Sequence, residues 1–149
     1  MSKFSIAPIT AAVFCIFAQG AAMAQELRQF TIGDVEAILR NNGYSAIEHM
    51  SDTLLALSIN GTRYGVLVDD AGDIQGYYGL DVTGVSLEVI NEWNRTKRFS
   101  RAYLDDVNDP VLEADLDAAE GVTRQQVAWF IKLFIRSSDQ FRDYIIENR

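Results

Sequence analysis

Ser86–Leu116 reads SLEVINEWNRTKRFSRAYLDDVNDPVLEADL. The spacing in it predicts a short helix, a strand, a tight acidic turn and a return strand. Ser86 supplies a capping hydroxyl, and Ile90 and Trp93 sit three apart with Leu87 behind them, one apolar face of a helix. A strand is expected from Arg98 to Asp105. Asp106-Val107-Asn108-Asp109-Pro110 then concentrates turn formers. In the return strand, Val111 to Asp117, Leu112, Ala114 and Leu116 alternate with Glu113, Asp115 and Asp117, so one face is apolar and the other acidic. Arg101 can reach these carboxylates if the two strands pair, which makes a cross-strand charge ladder the simplest reading of the acidic row.

Upstream, Thr53–Ile59 and Thr62–Val68 flank Asn60-Gly61, a pair that tolerates the positive φ angles of a two-residue hairpin turn. That turn sets the register: Ile59 faces Thr62, Leu57 faces Tyr64 and Leu55 faces Val66. Leu55, Leu57, Ile59, Tyr64, Val66 and Val68 then share a buried face. On the other face Ala56 beside Gly65 leaves a flat spot. Before the hairpin, Thr31 with Asp34 marks a helix start, Val35, Ile38 and Leu39 form its apolar face, and Asn41-Asn42-Gly43 stops it. A strand over Tyr44–Met50 follows. After the hairpin comes a third meander strand, Ile74–Leu80, weakened by Gly76 and Gly79. Its Tyr77 and Tyr78 must point to opposite faces.

Downstream, Thr123 with Gln126 forms a second capping box. Val127, Phe130, Ile131, Phe134, Phe141 and Ile145 make a core-facing stripe on the last helix. Trp129, Leu133 and Tyr144 line up on a second strip that one helix on one sheet cannot also bury. These three, grouped with Trp93, are the candidate interface residues, because large side chains with polar tips suit interface centres. Three things could cover the strip: a neighbouring helix, a second copy or protein partner, or a small apolar ligand. For the last case the expected pocket lies between sheet and long helix, lined by Phe130, Phe134, Tyr64 and Leu57.

The chain has 149 residues, 48% of them hydrophobic, enough for one core. Lys3, the apolar run Phe4–Phe17 and Ala22-Met23-Ala24 have the form of an export signal cut after Ala24, leaving residues 25–149 as a single domain. The run is too short to be a permanent membrane anchor. Cys15 lies within it, so the mature chain is expected to hold no thiol and no disulfide. Taking Lys3 from the 13 basic residues leaves 12 against 21 acidic, a formal charge of −9. Such a balance repels nucleic acid and anionic membranes. The sole histidine, His49, has no nucleophile paired to it by pattern. Asp69-Asp70-x-Gly72-Asp73 and Asp105-Asp106-x-Asn108-Asp109 lack the ligand spacing of a calcium loop and read as turns. No catalytic residue, metal or cofactor is expected.

Asn91-x-Trp93-Asn94-x-x-x-Arg98-Phe99-x-x-Ala102-Tyr103-Leu104, then Leu112-Glu113-Ala114-Asp115-Leu116, then Gly121-Val122-Thr123, resembles the YbjN-like family of bacterial sensory transduction regulators. The likeness is good over Leu87–Phe134 and loose over Phe30–Leu80. It implies an α+β domain similar to type III secretion chaperones, with an antiparallel sheet covered by helices; the elements read from the residues are a meander plus C-terminal hairpin packed against helices, in the order α-β-β-β-β-α-β-β-α. It also implies a tendency to dimerise, and it carries over no active site. An export signal departs from what a cytoplasmic regulator would have. The expectation is a periplasmic or secreted, non-enzymatic protein-binding module, a homodimer, with a carrier of a small apolar ligand as the alternative.

Overall fold

The computed structural model describes residues 25–149; the export signal expected over residues 1–24 lies outside them. The Asn60-Gly61 turn joins β3 (Leu54–Ile59) to β4 (Thr62–Val68), with both turn residues at positive φ, 49° and 82°. The pairing is Ile59 with Thr62, Leu57 with Tyr64 and Leu55 with Val66, as the turn dictates. Leu55, Leu57, Tyr64, Val66 and Val68 are all buried. Around this hairpin a six-stranded antiparallel sheet forms. Its other strands are β2 (Ile47–His49), β5 (Ile74–Gly79), β6 (Arg101–Leu104) and β7 (Pro110–Leu116). The order across it is β2-β3-β4-β5-β7-β6. The architecture is α+β in the expected element order.

Three helices cover the inner face. α1 (Ile32–Asn41) begins at a complete capping box between Thr31 and Asp34 and buries Val35, Ile38 and Leu39. α2 (Leu87–Thr96) begins at Ser86 and buries Ile90 and Trp93, whereas Leu87 is turned out to solvent. α3 (Arg124–Asn148) starts from the Thr123–Gln126 box and buries Val127, Ile131, Phe134, Phe141 and Ile145. The N-terminal half of α3 packs with α1 and the β3–β4 end of the sheet; its C-terminal half packs with α2, Tyr64, Tyr78 and Leu112. Phe134 lies over Gly76, where an added Cβ would come within 2.5 Å of the ring. The glycine that weakens β5 as a strand therefore lets the long helix approach the sheet.

Several boundaries differ from the sequence reading. The strand expected over 44–50 is confined to residues 47–49, and the lead-in segment contains β1 (Glu26–Leu27). β1 pairs with β8 (Val122–Thr123) in a separate two-stranded sheet. β6 starts at Arg101 rather than Arg98, because Phe99 adopts φ 66°, a left-handed conformation costly for a bulky side chain, and turns the chain out of the ladder. Tyr77 and Tyr78 take opposite faces as expected, the first exposed and the second buried.

Candidate functional site

The second strip of α3 is divided by its neighbours. Tyr144 is half-buried: its hydroxyl donates to the carbonyl of Val89 in α2 at 3.1 Å and its ring lies 5.5 Å from that of Trp93. Trp93 itself is 1% exposed and meets Phe141 edge-to-face at 5.0 Å. It belongs to the core and corrects its grouping with the interface candidates. The reason is that α2 folds onto the C-terminal half of α3, so the Ile90–Trp93 face is inserted rather than displayed. Trp129, by contrast, is 60% exposed, and Leu133 is half-buried beside it.

Trp129 and Leu133 form one wall of a groove of about 550 Å³. Phe130 and Phe134 reach its floor, and Phe99, Arg101 and the Glu113–Leu116 segment of β7 form the opposite wall. Of the four residues expected around an internal pocket, Phe130 and Phe134 therefore do line an opening, but a surface one. Tyr64 and Leu57 lie apart from it in the packed interior, because Phe134 fills the space above Gly76. Phe99, 74% exposed, enters the sequence reading only through the family motif and not as a candidate site residue. The signal for it was a lone aromatic among Arg98, Ser100 and Arg101.

The charged groups near this groove are largely committed to structure. Glu113, 7% exposed, accepts from Arg101 Nε (3.0 Å) and Nη2 (2.7 Å) and from the Tyr103 hydroxyl (2.7 Å). Burial, reinforced by that carboxylate, pushes Tyr103 up to about 12. Arg101 meets Glu113 across the ladder as the acidic row suggested. On the inner face, the Tyr64 hydroxyl donates to Asp139 Oδ1 at 2.8 Å, and burial followed by this bond raises Tyr64 to about 12. The acidic loops are spent on turns and on one bond across the fold. Asp69 Oδ1 accepts from the Asp73 amide, Asp73 Oδ1 from the Ala118 amide, and Asp105 Oδ1 from the Val107 and Asp109 amides. His49 faces Glu36 at 2.8 Å on the surface. These pairings hold strands and turns together, and none brings a base to a nucleophile.

Three comparisons bear on this arrangement. A family model described as "YbjN: Putative bacterial sensory transduction regulator" matches residues 31–147. A solved structure, the Yersinia pestis type III secretion chaperone SycH in complex with a stable fragment of YscM2, is similar to this chain with a TM-score of 0.54 at 13% identity. The match covers 72% of this chain and 96% of that one. At that identity the likeness is one of fold. No curated protein matches the chain.

Proposed function

The chain belongs to the YbjN family, and from that premise we propose that it is an exported, non-catalytic module that binds protein through the groove beside Trp129. The observation that carries this reading is the exposure of Trp129 over a groove with Phe99, Leu133 and Phe130 around it. Large aromatic area left uncovered next to a concavity is what central interface residues offer before a partner arrives. The use of Glu113, Asp105, Asp73 and Asp139 as hydrogen-bond acceptors for the fold supports a binding role over an enzymatic one.

Export to the periplasm or beyond is supported by Lys3, the apolar run that follows it and Ala22-Met23-Ala24. The single domain of the mature protein is then residues 25–149, and mass measurement of the protein isolated from its native cells should give an N-terminus at Gln25. A chain retaining Met1 in the soluble fraction would remove export from the reading.

A photo-crosslinking side chain placed at position 129, and separately at exposed Glu147, tests the surface in intact cells. Discrete protein adducts are expected from position 129 only; equal labelling from both positions, or none, counts against this face. An adduct at twice the chain mass, matched by light scattering, would identify a homodimer. The alternative, carriage of a small apolar ligand, draws on the groove volume, about 550 Å³, which lies in the range of ligand sites. Native mass spectrometry would then find a retained small molecule.

A further inference from the structure

The β6–β7 ladder stops early. It pairs Leu104 with Pro110 through Arg101 with Glu113, while β7 continues to Leu116. Ala114, Asp115 and Leu116 therefore have β5 on one side and no strand on the other. The direction of the backbone groups follows from alternation. The Pro110 carbonyl accepts from Leu80 toward β5, and the Asp109 carbonyl accepts from Asp105 toward β6. Odd-numbered residues of β7 thus aim their amides and carbonyls at the β6 side, and Asp115 aims them into the gap. The gap is kept open by Phe99, whose left-handed φ of 66° leads the chain away from the position that would pair with Asp115. A strained bulky residue that holds a strand edge open beside exposed Trp129 is an arrangement the fold alone does not require.

Resting on the protein-binding reading above, we propose that the groove takes an extended polypeptide segment that adds to the open edge of β7 at Asp115, in line with β6. Its side chains must alternate. Those on the inner side meet Trp129, Leu133 and Phe130; those on the outer side lie beside Asp115 and Asp117, both exposed. Asp115 Oδ1 accepts from Gln75 Nε2 and Asp117 Oδ1 from the Ala119 amide, each at 2.8 Å, but among the described residues no Lys or Arg is ion-paired with either aspartate. Apolar-in, basic-out is therefore the pattern that fits. A second copy of this chain fits worse at this edge. Two-fold antiparallel pairing would set Asp115 and Asp117 of each copy against those of the other on one face, and like charges directly opposite are destabilising.

The probe is a synthetic eight-residue peptide alternating Val and Lys, compared with an alternating Val/Glu peptide and a block peptide of the same composition as the first. Full-length mature protein is titrated with each, following tryptophan fluorescence, with the Trp129→Phe variant as the blank that leaves only Trp93, and hydrogen exchange of the Asp115 amide. The Val/Lys peptide should bind, slow exchange at Asp115 and be preferred over the other two. Asp115→Pro removes the edge amide and, like Asp115→Ala, the bond that Asp115 Oδ1 accepts from Gln75 of β5; measured against Asp115→Ala it should weaken binding about tenfold. Asp115→Lys should reverse the preference toward the Val/Glu peptide. Binding that needs Trp129 but is indifferent to Asp115→Pro would overturn strand addition and leave the docking surface standing. No binding by any peptide would overturn strand addition, and if position 129 also gives no discrete adduct in cells the docking surface falls with it. A dimer in wild type that Asp115→Pro dissolves would replace the peptide with a second copy.

Discussion

The two tryptophans of this chain stand in opposite surroundings although both lie on amphipathic helices. Trp93 is enclosed by Phe141 and Tyr144, and the Lys97 ammonium lies 5.6 Å from its ring centre. Trp129 faces a groove in which nothing covers it. Trp129, Leu133 and Tyr144 lie on one side of α3, with Arg136, Ser137 and Gln140 between them, and the fold closes only the Tyr144 end. What decides the fate of each ring is the reach of α2, which spans one half of α3 and not the other. Amphipathicity nominates a face, and the neighbouring element determines whether that face becomes core or surface.

Substitutions should expose the contrast most sharply at Trp93. Trp93→Ala removes a fully enclosed ring and is expected to cost about 3–5 kcal/mol in urea unfolding. A loss near zero would mean that α2 does not seal this half. At the seam between halves, Gly76→Ala forces a methyl against the Phe134 ring and should destabilise by about 1–3 kcal/mol. High pH probes the same seam. Tyr64 is held near 12 against an ordinary 10, so its bond to Asp139 contributes fully below pH 10 and is lost as pH rises toward 12. Unfolding midpoints should fall across that window, and Tyr64→Phe should flatten part of the decline. Tyr144→Phe breaks only the bond to the Val89 carbonyl, an expected cost of about 1 kcal/mol. Trp129→Ala should change stability by less than about 0.5 kcal/mol. A larger loss there would show that the ring supports the fold rather than a partner.

The hairpin register was legible because Asn60-Gly61 permits only one pairing of its flanking strands, and the three helix starts were legible because Thr31, Ser86 and Thr123 each announce a cap. Arg101 opposite Glu113 followed from alternation alone. The groove was not legible. It depends on β6 starting three residues late, which comes from the backbone twist at Phe99, and φ at an aromatic residue leaves no periodic trace. The two-residue strands β1 and β8 are likewise too short to carry a period. Burial of Trp93 and Tyr144 against one another requires knowing the angle at which α2 meets α3, which lies beyond what either helix encodes by itself.

The small β1–β8 sheet has a practical corollary. By pairing Glu26 with Thr123, it fixes the start of the described residues next to the first turn of α3, a few residues from Gln126 and Trp129. A fusion partner or purification handle spliced ahead of Gln25 would be held at the same end of α3 as Gln126 and Trp129, which border the groove. One appended after Arg149 would leave from the opposite tip of a 25-residue helix, about 37 Å distant. Reporters of this protein's associations are therefore best carried at the carboxyl end.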